Sequence, residues 1–161
     1  MEKIYCERIN EVKKEKYFLE KRLNVKIEID GRFAIVNGDS MNEYDFSRII
    51  EAINVGFSSR TASLILDGDY IYEKINIKKF TTRKNLDLIR GRLIGAKGKT
   101  KRTMEEITGA VIKVKDNTVS VICRAEDVDY ITNSIIRVIK GTKHSNVYRY
   151  LETVKSKRKY N

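Results

Sequence analysis

Leu93-Ile94-Gly95-Ala96-Lys97-Gly98-Lys99-Thr100, continued by Lys101 and Arg102, is the stretch on which the reading of this chain turns. Two glycines three apart stand between apolar residues that end one helical pattern and a basic run that opens the next. The spacing predicts a short loop whose backbone a ligand can approach closely. The free N–H groups at the start of the following helix point outward there with the positive end of its dipole. Lys97, Lys99, Lys101 and Arg102 add charge, and phosphate is the expected guest.

Working outward, Thr108-Gly109 closes a helix whose one face carries Met104 and Ile107, and Ala110 to Val114 reads as a strand. Val111–Lys115 and Thr118–Cys123 form a hairpin around Asp116-Asn117. A helix from Asp127 to Lys140 then packs through Val128, Ile131, Ile135 and Val138 and stops at Gly141. Upstream, Tyr70 to Phe80 holds an alternating strand. A basic helix follows from Arg83, with Leu86, Ile89, Leu93 and Ile94 on its buried side. The order helix, Gly-x-x-Gly, helix, strand, strand, helix over residues 85 to 141 resembles a KH domain. That resemblance implies a loop clamping the backbone of about four single-stranded nucleotides beside a groove that reads their base edges. Gly98-Lys99-Thr100 also looks like the end of a nucleotide-hydrolase phosphate loop, but that motif needs a glycine where Leu93 stands.

The first half repeats this order. Lys14 to Leu23 is a charged helix with Phe18, Leu19 and Leu23 at one-face spacing, preceded by a short strand from Ile4 to Arg8. Val25–Ile29 and Phe33–Val36 pair across Asp30-Gly31, and a helix capped by Ser40 or Asn42 buries Phe46, Ile50 and Ile53 before Gly56. At a constant offset of 85 residues Ile9 falls on Ile94, Leu19 on Met104, Ile27 on Ile112, Val36 on Val121, Ile50 on Ile135 and Gly56 on Gly141. Two copies of one unit are therefore expected. Asn10-Glu11-Val12-Lys13 stands at the Gly-x-x-Gly positions of the first copy, too bulky and too acidic to clamp phosphate. Ser58 to Leu66 reads as a short helix and Asp67-Gly68-Asp69 as a turn with no further metal ligands at loop spacing.

Charge separates the halves. Residues 1 to 80 hold 14 Lys+Arg and 14 Asp+Glu, and residues 81 to 161 hold 19 and 8, so the whole net charge of +11 belongs to the second half. A polyanion is the expected partner. Cys6 and Cys123 lack metal-site spacing and there is one histidine, His144, so zinc, disulfide-framework and catalytic readings lack residues. No metal, cofactor or catalytic residue is expected. With no signal-like or membrane-length apolar run the expected location is cytoplasmic, without a membrane partner. From Asn146 a helical face of Val147, Tyr150, Leu151 and Val154 is expected to fray into the basic tail Lys155–Lys159.

Gly56-Phe57-Ser58, Leu66-Asp67-Gly68-Asp69-Tyr70, Gly91-Arg92-Leu93-Ile94-Gly95, Glu105-Glu106-Ile107-Thr108-Gly109 and His144-Ser145-Asn146-Val147-Tyr148 narrow the resemblance. They look like the archaeal two-KH ribosomal RNA assembly family, related to KRR-type factors and the Partner-of-Nob protein. The resemblance implies a non-enzymatic protein of α+β class with two tandem KH-like domains in the type I order β-α-α-β-β-α. Residues 1–69 would be a degenerate domain, 70–143 a KH domain with an intact loop, and 144–161 a C-terminal helix and basic tail.

Its implied partner is single-stranded small-subunit rRNA near the 3′ end, with a Nob-type endonuclease and other pre-ribosome proteins nearby. The RNA loop carried over is Gly95, Ala96, Lys97 and Gly98, with Lys97 where the family commonly has a third glycine. Phosphate contacts are expected from Arg90, Arg92, Lys97, Lys99, Lys101 and Arg102, and base contacts from Ile94, Ile112 and Lys113. A general mRNA-binding KH regulator and a protein-interaction scaffold are the alternatives.

Overall fold

In the computed structural model, which describes residues 1–159, the chain forms two compact units, Met1–Gly68 and Asp69–Asn161. The first contains β1 (Glu2–Tyr5), α1 (Ile9–Lys14), α2 (Lys16–Leu23), β2 (Lys26–Asp30), β3 (Phe33–Asn37), α3 (Ser40–Val55) and α4 (Ser59–Ser63). The second contains β4 (Tyr70–Asn76), α5 (Leu86–Ile94), α6 (Lys99–Thr108), β5 (Val111–Lys115), β6 (Thr118–Arg124), α7 (Val128–Lys140) and α8 (His144–Lys159). Each unit holds one antiparallel three-stranded sheet, ordered β1-β3-β2 and β4-β6-β5. A mixed α/β, KH-like fold with a C-terminal helix is what the chain adopts.

Alternation builds both cores. Ile27, Ala34 and Val36 turn inward onto Leu19, Phe46, Ile50 and Ile53 in the first unit. Ile75, Ile112, Val119 and Val121 meet Ile89, Leu93, Met104, Ile131, Ile135 and Val138 in the second. Removing one such aromatic or aliphatic side chain costs about 2–5 kcal/mol. Both cysteines are free and buried, and burial pushes the Cys123 thiol up to about 11.

Several boundaries differ from the sequence expectation. The helix expected over Lys14–Leu23 is two helices broken at Glu15, whose carboxylate accepts from Arg60 Nε at 3.1 Å. Asn10–Lys13 lie inside α1, with Val12 fully buried, so the first unit has no loop there at all. Asp39, rather than Ser40 or Asn42, caps α3 by accepting the Asn42 N–H at 3.0 Å. α5 begins at Leu86, leaving Arg83 to Asn85 in the connector.

α8 starts at His144 and stays helical to Lys159 instead of fraying at Lys155. Arg158 ties it down, bonding the Asp127 carboxylate and the Glu126 carbonyl with its guanidinium 4.7 Å from the Tyr130 ring centroid. Tyr160 and Asn161, the end of the expected tail, lie outside the described residues. Among the described residues no helix is long and apolar enough to cross a membrane.

Candidate nucleic-acid interface

The junction between α5 and α6 is a tight turn made of left-handed backbone. Gly95 (φ 77°), Lys97 (φ 55°) and Gly98 (φ 75°) all lie at positive φ. The Gly95 N–H still bonds the Gly91 carbonyl at 2.8 Å, and the Gly98 N–H bonds the Gly95 carbonyl at 3.1 Å. The two glycines differ in kind. A Cβ on Gly95 would lie 2.3 Å from Thr100 Oγ1 and 2.6 Å from its backbone nitrogen, so only glycine fits against the buried Thr100. A Cβ on Gly98 would meet nothing within 4 Å, so the space above it is open. Lys97 holds a left-handed conformation at a cost of about 1–2 kcal/mol. That cost explains why a glycine suits this place, and the Lys97 side chain stands exposed on the loop.

No side chain caps α6 at Gly98, which leaves its first turn available to an anion. Lys97, Lys99 and Arg102 are exposed around it and, among the described residues, make no ion pair. Ala96 is exposed, and Ile94 is 36% exposed beside the loop rather than on the buried side of α5. These residues form one contiguous surface of glycine backbone, three free cations and an apolar edge.

The other expected contacts are employed elsewhere. Arg90 donates to the Asp116 carbonyl (3.0 Å) and Asn117 Oδ1 (2.7 Å) and pairs with Asp87, pinning α5 to the β5–β6 turn. Arg92 donates to the Thr142 carbonyl at 2.6 Å, with its Nε buried and unpartnered, while His144 Nε2 contacts the Arg92 carbonyl at 3.0 Å. Lys101 pairs with Glu105 at 3.2 Å. Ile112 is 3% exposed and faces the core, which removes it from any surface a base can touch. Strand alternation puts Lys113 on the sheet face opposite Ile112, away from α5 and α6, where its register partner is Ser120. The structure thus gathers Ile94 to Lys99 and Arg102, and separates Arg90, Arg92, Lys101, Ile112 and Lys113 from them by role.

Three supporting residues went unread in the sequence. Thr100 packs under Gly95. Thr142 anchors Arg92. Glu105 accepts the N–H of Ile112 on the edge strand at 3.0 Å while holding Lys101. The last of these had a signal, because Lys16 and Glu20 repeat Lys101 and Glu105 at the same offset of 85. Glu20 accepts the Ile27 N–H at 2.9 Å.

Residues 71–156 match the model of the second KH domain of PNO1, a eukaryotic-type, type I KH domain. A KH domain-containing protein of Methanocaldococcus jannaschii is 31% identical over 146 residues, covering 86% of this chain and 64% of the relative. The pre-rRNA-processing protein PNO1 of Saccharomyces cerevisiae is 27% identical over 160 residues, 98% of this chain and 57% of that protein. The chain therefore spans roughly three fifths of the length of these curated relatives. Among solved structures, the complex of a/eIF2alpha, aDim2p and rRNA from Pyrococcus horikoshii contains a chain with a TM-score of 0.78 and 30% identity. That match covers 97% of this chain and 94% of the other.

Proposed function

This chain belongs to the PNO1-type KH family, and on that premise we propose that it is a non-enzymatic RNA-binding factor of small-ribosomal-subunit assembly. In this reading the Gly95–Gly98 loop holds single-stranded rRNA near its 3′ end. The carrying observation is the loop itself: an uncapped helix start, open space over Gly98, and Lys97, Lys99 and Arg102 without an ion pair among the described residues, in the unit that bears the charge. Counted by unit, Met1–Gly68 has 11 basic and 12 acidic residues and Asp69–Asn161 has 22 and 10, giving −1 and +12.

Phosphates bind the α6 N-terminus and the three cations, and a base packs on Ile94. Arg90, Arg92 and Glu105 are positioning residues that fix α5 and the β5 edge around the loop. The yeast relative is a pre-rRNA-processing protein and the Pyrococcus complex contains rRNA, which supports rRNA over messenger RNA as the target. The first unit, 1–69, is read as a degenerate KH-like domain without the loop, and 70–143 as the RNA-binding one. A Nob-type endonuclease that trims the bound 3′ end is the expected functional neighbour. The first unit supplies a protein contact, favoured by its near-zero charge and by the exposed edge-to-face pair of Tyr5 and Phe33, 5.7 Å apart.

The test is crosslinking of the protein to RNA in its own cells, followed by sequencing of the crosslinked fragments. Enrichment at the 3′ end of small-subunit rRNA is the expected result. A spread over many messages overturns the ribosomal reading and leaves a general KH regulator.

A further inference from the structure

The two sheets show where the second unit has grown. By strand register, Glu2, Lys3 and Ile4 stand opposite Val36, Ile35 and Ala34, and Glu73, Lys74 and Ile75 stand opposite Val121, Ser120 and Val119. The first strands therefore correspond at an offset of 71 and the hairpins at 85, so fourteen residues are added between strand and hairpin. The loop takes only part of them. Another part lengthens the connector between first strand and first helix, from Cys6–Arg8 to Ile77–Asn85. The longer connector carries Lys78, Lys79, Arg83 and Lys84 and no acid.

This connector is built rather than slack. Ile77 is fully buried, and its N–H bonds the Asn117 carbonyl at 2.8 Å. The Cys6 N–H bonds the Arg32 carbonyl at the same distance in the first unit. Asn76 Oδ1 accepts the Lys78 N–H at 3.0 Å to start a short 3-10 turn over Ile77–Phe80, and Thr81 Oγ1 accepts the Arg83 N–H at 3.1 Å. Between the connector and the end of α7 lies a surface hollow of about 500 Å³, lined by Lys78, Lys79, Phe80, Arg83 and Lys140 together with two threonines and Ile139. Its four cations have no acidic neighbour in the lining, and none of them forms an ion pair among the described residues. Four like charges held around one concavity by ordered backbone focus a positive field that a chain of phosphates neutralises.

We propose that this hollow is a second phosphate-binding site, taking the sugar-phosphate backbone of the same RNA strand beyond the nucleotides held at Gly95–Gly98. It rests on the RNA reading given above. α5 alone separates the connector from the loop, and its nine residues span about 13 Å. A strand clamped at the loop reaches the hollow by extending along this helix. With lysines and an arginine as its charged lining, the site contacts phosphate without reading sequence.

The test compares the full-length protein with the variant Lys78→Ala/Lys79→Ala/Lys140→Ala on two labelled single strands from the 3′ end of small-subunit rRNA, four and twelve nucleotides long. Fluorescence anisotropy is measured over a salt series. The variant is expected to bind the twelve-mer at least roughly ten-fold more weakly, with a salt slope smaller by about 2, and to bind the four-mer as the wild type does. Equal binding of the twelve-mer by both proteins overturns the proposal. So does an equal loss on the four-mer, which is the mark of a diffuse field rather than a site. Failure of the loop reading shows separately, as four-mer binding that survives Gly98→Asp.

Discussion

The two units share a backbone plan down to its left-handed residues, and they part at one place. Among the described residues nine lie at positive φ. Six of them pair at the 85-residue offset, Asn24 with Gly109, Gly31 with Asp116 and Gly56 with Gly141, marking the same helix ends and the same hairpin turn. The remaining three, Gly95, Lys97 and Gly98, have no counterpart and are all in the loop. The helix–loop–helix of the second unit is replaced in the first by α1, the single break at Glu15, and α2. α1 is then sealed by Ser59, whose hydroxyl donates to the Glu11 carbonyl at 2.9 Å and whose N–H donates to the Glu11 carboxylate at 3.0 Å. The scaffold is common to both units; the glycine turn and the net positive charge are confined to one.

The largest expected effect breaks this asymmetry at its source. Gly98→Asp introduces an acid into open space; at φ 75° the new side chain is strained, but Asp is among the residues that visit the left-handed region, so the chain still folds while a phosphate is repelled. RNA affinity is expected to fall by about a hundred-fold or more in anisotropy, from loss of the loop's charge-assisted bonds, while the left-handed strain costs about 1–2 kcal/mol and lowers the melting temperature by several degrees without unfolding the chain. Asn10→Asp in the first unit leaves binding unchanged. Gly95→Ala does the opposite to the fold, because its methyl group collides with Thr100. It is expected to destabilise the second unit by about 1–3 kcal/mol in urea unfolding.

The next effect tests the likeness rather than the difference. Glu20→Ala and Glu105→Ala each orphan one edge-strand N–H, of Ile27 and of Ile112. Both are expected to cost about 1–3 kcal/mol by chemical denaturation. A full cost in one unit and none in the other would contradict the shared plan.

Smaller again, Lys97→Gly relieves a left-handed lysine and is expected to raise stability by up to about 1 kcal/mol. It should also lower the single-strand salt slope by about 0.7, the share of one phosphate contact. The smallest effect sharpens the comparison in time. Burial holds the Cys6 and Cys123 thiols above their ordinary range and therefore protonated at neutral pH, so neither is expected to react with a thiol reagent until its own unit opens. The relative rates of labelling at Cys6 and Cys123 then report which unit opens first.

Period and punctuation carried most of this into the sequence. The hairpins at Asp30-Gly31 and Asp116-Asn117, the helix stops at Gly56 and Gly141, and the loop at Gly95–Gly98 are all written in residue types with a local backbone meaning. What the sequence withheld depends on the third dimension. Arg90 and Arg92 carry the same charge as Lys99 and Arg102, and only the approach of the Asp116-Asn117 turn and of Thr142 shows that they are occupied. Ile94 and Ile112 are chemically alike, and the ends of a helix and the faces of a strand place one outside and one inside. The change of offset from 71 to 85 lies where no motif marks it, and only strand register reveals the longer connector.

The most direct test of the account is a titration of the isotopically labelled full chain with single-stranded RNA from the 3′ end of small-subunit rRNA, followed by amide chemical shifts. The account predicts large shifts at Gly95 to Lys99 and at Arg102, with Asn10 to Lys13 unmoved. Shifts of equal size in α1, or shifts that leave the loop untouched, would contradict it.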